Sequence, residues 1–422
     1  MKHIKTHCKL YNRPHFIKAI CAMLLCLLFM QQTAYASSEP SDDTVFEFHE
    51  EAGGAEYVIA DYWLETAQFK GDHDVKSAVL CEASSGRVLY QKNQDDRLPI
   101  ASVTKVMTML LTMEAIDDGR LKYSDTVTVS AHAASMGGSQ MYLEVGETMT
   151  VSDMLKAIAV ASANDAAVAM AEHIAGTEEG FAELMNECAE RIGCRNTHFV
   201  NASGLPVDNA YSSALDVALI TREILKHKDI LKYTSIWTDS LRNGAFGLAN
   251  TNKLIRYYKG ANGMKTGYTD EAKYCLSGTA ERDGMTLIAV VLGGVTSDER
   301  FACAKSMLDY GFATYKLVTA PAEIPETVRV TGGRQRQVKT HFEPLSLLDS
   351  KSGSGIKADV YINEAVKAPV AEGDRVGYVI YRSGGDELAR ADITAAETVI
   401  EADFGFLLLE TVKNAFLLTH CD

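Results

Sequence analysis

The sequence predicts an α+β fold: one antiparallel sheet covered by helices, followed by a small all-β domain and a terminal amphipathic helix. Three observations lead there. Hairpin-like runs, "VKSAVLCEASSGRVLYQKN" and "YCLSGTAERDGMTLIAVVLGG", stand near the two ends of a segment whose middle reads as helical, so first and last strands can share one sheet. Beyond Pro321 and Pro325 the texture changes to short strand-like runs, such as "ETVRVTG", "ADVYIN" and "RVGYVIYRSGG", separated by Gly and Pro turns. With 422 residues, 47% of them hydrophobic, the chain is long enough to give each part its own core.

The elements follow in order. Residues 1–36 carry Lys2, Lys5, Lys9, Arg13 and Lys18, then the apolar run Ala19–Met30, then a small-x-small site at Ala34-Tyr35-Ala36. That is the pattern of a secretory signal peptide cut after Ala36, and an uncleaved anchor is the alternative. Cleavage would move the net charge from −15 to −20, an acidic body that repels nucleic acid and anionic lipid. Residues 37–74 open with "SSEPSDD" and read as an acidic leader.

The folded body, residues 75–315, starts with a hairpin turning at Ser85-Gly86. An apolar helix within Pro99–Ala115 comes next, then the strand "DTVTVS" and the Ala-rich helical stretch "SDMLKAIAVASANDAAVAMAEHIAG". A second hairpin turns at Asp283-Gly284, and "DERFACAKSMLDYGFATY" closes the body as a helix. The all-β domain is expected over 320–400. In 402–418, Phe404, Leu408, Leu409, Val412, Ala415 and Phe416 share one helical face opposite Asp403, Glu410, Lys413 and Asn414. This helix is too short to span a bilayer, which leaves it to lie on a membrane surface or to pack against protein.

Of nine cysteines, Cys8, Cys21 and Cys26 fall in the signal; Cys81, Cys188, Cys194, Cys275, Cys303 and Cys421 are scattered. They show no metal-like pairing, and buried thiols with at most one bridge are expected.

Three polar clusters interrupt the apolar pattern. Ser102 and Lys105 lie three apart, on one face of a helix start, where an amine can touch a hydroxyl. The ordinary reading is a capping serine and a solvated lysine, and Ser354 to Lys357 repeats the spacing in a Gly-rich loop, so spacing alone decides nothing. Ser162 and Asn164 sit in an Ala-rich surround, where they must find partners or else cap a helix beginning at Asp165. Lys265, Thr266 and Gly267 are placed at the start of the second hairpin's first strand.

Together and in this order, the clusters resemble those of the penicillin-binding proteins, specifically the serine D-alanyl-D-alanine carboxypeptidases related to penicillin-binding protein 5. The similarity extends to "LPIASVTKVMT", "GGSQMYLEVGE", "NGMKTGYT" and "YCLSGTA" and onward through the β-domain. It implies a β-lactamase/transpeptidase-like catalytic domain, an acyl-enzyme on Ser102, and neither cofactor nor metal. Lys105 is then the base, its pKa lowered by burial and by Lys265, and Ser162 relays the proton. Lys265, keeping its charge, and Thr266 receive the substrate carboxylate, and Gly267 lets a peptide lie along the strand. Asn164 bonds the substrate amide, the N–H groups of Ser102 and Tyr268 form an oxyanion hole, and Arg300 supports the carboxylate.

The implied partners are peptidoglycan stem peptides ending in D-Ala-D-Ala, β-lactams as covalent inhibitors, and a membrane surface for the terminal helix; nucleic acid is excluded. The expected location is the outer face of the bacterial membrane, or the wall. Tyr268 stands where penicillin-binding protein 5 has histidine, and Lys273 where relatives often carry glycine. A class A β-lactamase would need a Glu-x-x-Leu-Asn string between the second and third clusters, and none occurs. A catalytically silent wall-binding protein would not need the intact Ser102, Lys105, Ser162 and Lys265.

Overall fold

The computed structural model describes residues 69, 71 and 73–415, apart from 354 and 384, with 414 and 415 described as backbone only. The expected export signal, nearly all of the leader, Ser354, Phe416 and Cys421 lie outside the described residues.

The first strand, β1 (Ser77–Glu82), is buried at every position, with β2 (Val88–Lys92) beside it. Along the chain come α1 (Lys105–Asp117), α2 (Val151–Lys156), α3 (Asn164–Ala175), α4 (Glu178–Arg191) and α5 (Ala214–Ile224). Then β3 (Ala261–Thr269), β4 (Lys273–Arg282) and β5 (Met285–Gly294) form a meander, followed by α6 (Ser297–Thr314). The sheet runs β2-β1-β5-β4-β3, antiparallel throughout, so first and last strands do meet at its centre and β3 forms one edge.

Side chains alternate between two cores because successive residues of a strand face opposite ways. Val79, Cys81, Ile288, Val290 and Leu292 join the core under α1 and α3; Ala78, Leu80, Leu287, Ala289 and Val291 join the one under α6. A sheet with both faces covered explains why its inner strands read as continuous apolar runs. The helix α1 is enclosed in the same manner, with ten of its thirteen residues buried, which is how its first residue, Lys105, comes to be fully buried. The solvated lysine of the ordinary reading is thus ruled out.

The meander moves the third cluster from where the sequence put it. Lys265, Thr266 and Gly267 lie in the middle of β3, a separate strand joined to β4 by the turn Asp270–Ala272, not at the start of the second hairpin. Turn signals at Asp283-Gly284 are strong, whereas "YTDEAKY" hides a three-residue turn.

Past α6, strand 315–319 pairs with 346–350, and a six-stranded sheet follows in the order 357–362, 375–383, 386–395, 337–341, 327–331, 365–367. Its core includes Val328, Val338, Val379, Tyr381 and Ile393. The last described element is α7 (Phe404–Ala415), with Phe404, Leu407, Leu408, Leu409 and Val412 exposed. No helix among the described residues is long and apolar enough to cross a membrane. The described cysteines are all free thiols.

Candidate active site

Ser102 occupies a tight turn of helix, Ala101–Thr104, that leads into α1. Ala101 holds a left-handed backbone, φ 49°, a conformation that costs an alanine about 1–2 kcal/mol. As the first turn of a helix leaves N–H groups without intrahelical acceptors, the Ser102 N–H takes no acceptor among the described residues. Two glycines let neighbours close around this turn. A Cβ on Gly204 would stand 2.0 Å from the Ala101 oxygen, and one on Gly267 would stand 2.6 Å from the Ile100 oxygen and 3.1 Å from the Ser102 nitrogen. The empty side of Gly267 thus faces the serine's own turn, which brings β3 against the Ser102 N–H.

Lys105 lies one turn on, its Nζ 2.9 Å from Ser102 Oγ and also 2.6 Å from both Asn164 Oδ1 and the Ser203 carbonyl. Burial first, then the charge of Lys265, holds this amine well below the ordinary lysine value, against a smaller upward pull from Asp165 and Glu178. A neutral amine with a serine hydroxyl in reach is a base beside its nucleophile.

The second cluster folds differently from a capped helix. After α2 the chain widens into a π turn, Ala157–Ala161, and Ser162 ends it in a left-handed conformation, φ 60° and ψ 31°. Ala163, whose side chain cannot cap, precedes α3, so neither Ser162 nor Asn164 serves as the cap that the ordinary reading assigned. Ser162 is buried, and among the described residues no hydrogen bond joins its hydroxyl to Ser102 or Lys105. Asn164 is committed at both ends: Oδ1 accepts from Lys105, and Nδ2 donates to the Gly137 carbonyl at 2.7 Å. Its visible work is to orient the lysine and to tie the Gly137–Leu143 loop, whose Met141 and Leu143 N–H groups are held by the buried Asp165 carboxylate.

On β3, Lys265 is buried and donates to the Thr266 carbonyl at 2.7 Å, while the Thr266 and Thr251 hydroxyls meet at 2.5 Å. Burial, and then the Arg300 guanidinium, brings Lys265 down to about 7, so its charge is less secure than the sequence suggested. Arg300 is no surface residue: it is buried under β3, donating to the carbonyls of Gly267 at 3.2 Å and Cys275 at 3.0 Å, its Nε left without a partner. Among the described residues no carboxylate offsets either cation. A buried cation pair without an anion is a site that an incoming carboxylate would relieve. The side chain of Tyr268 faces outward, its hydroxyl donating to Asp270 Oδ1 at 2.9 Å.

Two contributors escaped the sequence. Ser203 supplies a backbone carbonyl, and its loop is pinned by Thr108, which donates to the Ala202 carbonyl at 2.6 Å, and by Glu178, which accepts from the Ala202 N–H at 3.0 Å. The string Asn201-Ala202-Ser203-Gly204 signals an Asx turn, and Asn201 does accept from Gly204 N–H at 2.7 Å, yet nothing local tells that its carbonyl reaches a lysine 98 residues away. Glu178, the other carboxylate among Lys105's electrostatic neighbours, is occupied by that N–H and by His132, 2.7 Å from its Oε2. Among the described residues no cluster of His, Cys, Asp and Glu could hold a metal ion.

Known proteins are similar to this chain along both of its domains. Residues 64–296 match a family described as D-alanyl-D-alanine carboxypeptidase, and residues 312–401 one described as penicillin-binding protein 5, C-terminal domain. The chain is 45% identical over 352 residues to the D-alanyl-D-alanine carboxypeptidase DacF of Bacillus subtilis, covering 81% of this chain and 90% of that protein. Similarity to the Escherichia coli K12 carboxypeptidase DacA is 30% over 362 residues, 81% of this chain and 88% of the relative. Penicillin binding protein 5 from Haemophilus influenzae superposes with a TM-score of 0.69 at 31% identity, over 79% of this chain and all of that one. The ampicillin-bound penicillin-binding protein D2 of Listeria monocytogenes does so with 0.53 at 34%, over 57% of this chain and 98% of that one.

Proposed function

The chain belongs to the D-alanyl-D-alanine carboxypeptidase family, and from that premise we propose that Ser102 is its nucleophile, Lys105 the base and Ser162 the relay for the departing amine. Ser102 Oγ attacks the carbonyl of the penultimate D-alanine of a peptidoglycan stem peptide as its proton passes to Lys105 Nζ. The oxyanion lies between the N–H groups of Ser102 and Tyr268. When the peptide bond breaks, Lys105 returns the proton through Ser162 to the amine of the leaving D-alanine. Water, deprotonated by Lys105, then hydrolyses the acyl-enzyme. A β-lactam enters by the same attack and stays as a long-lived ester.

The observation that carries this reading is the 2.9 Å contact between Ser102 Oγ and a fully buried Lys105 Nζ of lowered pKa. Restriction to a free C-terminus follows from Lys265, Thr266 and Arg300, where burial strengthens the pull on a carboxylate. Asn164 holds Lys105 in place and offers its second carbonyl lone pair to the substrate amide.

The domain scheme belongs to the same proposal: an export signal over 1–36, a leader to residue 74, the catalytic domain to 315, the β-domain over 320–400 and a helix over 402–418 that rests on the membrane surface. The exposed apolar row on α7 supports that last role, and location outside the cytoplasm suits enzymes of the wall.

Mass spectrometry after incubation with benzylpenicillin tests the assignment. The wild-type protein should gain one penicilloyl group and Ser102→Ala none, while the mature protein releases D-alanine from a diacyl-D-Ala-D-Ala peptide. An adduct on Ser102→Ala would overturn the choice of nucleophile.

A further inference from the structure

We propose that Glu178 is a positioning residue for Lys105, acting through the Ala202–Ser203 segment, and that the half-exposed His132 sets how much of its charge the pocket feels. This rests on the reading of Lys105 as the base beside Ser102.

A neutral amine carries two hydrogens and one lone pair, so its partners decide where the lone pair points. Asn164 Oδ1 and the Ser203 carbonyl, each 2.6 Å from Lys105 Nζ, take the two hydrogens. The lone pair is left for the hydroxyl of Ser102, 2.9 Å away. Were the Ser203 carbonyl displaced, the freed hydrogen would turn to Ser102 Oγ, and the amine would donate where it must accept. The place of one backbone carbonyl therefore governs whether this lysine is a base.

That carbonyl is held from two sides. Thr108, one turn past Lys105 on α1, donates to the Ala202 carbonyl at 2.6 Å, and Glu178 Oε1 accepts from the Ala202 N–H at 3.0 Å. Glu178 is buried and opens α4, where the helix N-terminus favours its negative charge. Its Oε2 lies 2.7 Å from Nε2 of His132, on the short helix Ala131–Ala134, and that imidazole is 49% exposed. A line of contacts thus runs from solvent to the amine through His132, Glu178, Ala202 and Ser203.

Charge follows the same line. Burial and Lys265 on β3 lower the Lys105 pKa, whereas Asp165 on α3 and Glu178 on α4 raise it. The His132 ring is held above its ordinary value by its bond to Glu178, against burial and aided by the charges of Glu178, Glu172 and Glu179. Protonated, it cancels part of the Glu178 charge and so helps Lys105 to stay neutral.

The second-order rate constant of benzylpenicillin acylation, measured against pH, tests this. Glu178→Gln keeps an oxygen for the Ala202 N–H and removes the charge, so the acidic limb should move down by about half a pH unit with the plateau within about twofold of wild type. His132→Gln keeps a donor for Glu178 but cancels nothing, and its limb should move up. Glu178→Ala loses the hold on the loop, and its plateau should fall at least about tenfold. Melting curves establish which variants are folded; should Glu178→Ala unfold, the two glutamine variants decide. Limbs that stay in place or move together overturn the inference while Lys105 stands. If Lys105→Met acylates at the wild-type rate, the reading of the base fails and the inference goes with it.

Discussion

Arg300 is the charged group that acts most strongly on Lys265, and it acts by repulsion. Both side chains are buried beside β3, and among the described residues no carboxylate accompanies them. The resting site therefore holds two cations in a medium that penalises each, and Lys265, the more easily deprotonated, falls to about 7. A substrate carboxylate reverses the balance by favouring the charged amine.

Activity on carboxylate substrates should accordingly show an alkaline limb. kcat/KM reports the free enzyme, so for a D-Ala-D-Ala peptide it should decline above pH of about 7 as Lys265 loses its proton. Arg300→Gln removes the repelling charge and should move the limb to higher pH. Lys265→Arg, whose guanidinium does not titrate in this range, should abolish it, at an overpacking cost of about 1–3 kcal/mol in a fully buried position. Identical limbs in all three proteins would refute the assignment to Lys265.

Stability should carry the same signature with a defined sign. Between the folded value of about 7 and the ordinary 10.5, the unfolded chain holds a proton that folded Lys265 has released, so stability rises with pH. Lys105 adds in the same direction. Above pH 9 buried thiols oppose it, because Cys81 is raised to about 12 and Cys188 to about 11. Melting temperatures should therefore climb from pH 7 to 9, and Lys265→Met should flatten the climb, each such group contributing up to about 1.4 kcal/mol per pH unit. A Lys265→Met slope as steep as wild type would remove Lys265 from the account.

Asn164→Asp tests the lysine's neutrality with almost no change of shape. A carboxylate 2.6 Å from Lys105 Nζ should raise the amine's pKa and leave little free base at neutral pH. Penicillin acylation should drop by about 100-fold at pH 7 and recover as pH rises; a loss of equal size at every pH would mean that the asparagine acts on the substrate instead.

Gly267→Ala should separate β3 from the serine. The added Cβ meets the Ile100 carbonyl, which is backbone and cannot rotate away. We expect about 1–3 kcal/mol of destabilisation together with at least tenfold slower acylation, read from melting curves and stopped-flow penicillin binding. Loss of stability without slower acylation would show that the approach of β3 to the Ser102 N–H is not used in catalysis.

Cutting the chain after Ala402 should leave the enzyme soluble and active while releasing it from membranes. The cut keeps the Ala402 N–H on the Gly332 carbonyl and, among the described residues, loses the Arg334–Asp403 ion pair and the ring of Phe406 beneath Arg334, both at the surface. A truncated protein that remains membrane-bound would place the tether elsewhere, most simply in an uncleaved signal.

What the residues revealed on their own depended on the range of the interactions. The pairing of Ser102 with Lys105 was legible because the two are three apart and stand in order with two further polar clusters, and the layered fold because hairpins and helical runs are local patterns. Which partners Asn164 would find was not legible, because Lys105 and Gly137 are distant from it in the chain. Nothing local in the sequence tells that Arg300 is buried, since only the packing of α6 under β4 carries it beneath the strand. Ser203 was invisible since its contribution is a carbonyl, which every residue has.

The left-handed backbone of Ala101 makes the protein's history partly readable in the laboratory. A glycine would sit there without steric penalty and recover up to about 1 kcal/mol, yet it would let the nucleophile's turn wander. Libraries selected for heat resistance alone should drift toward glycine at 101 and lose carboxypeptidase activity as they do. Libraries kept under selection for growth should refuse that substitution, and the gap between the two outcomes measures how much durability this lineage has given up to keep one serine still.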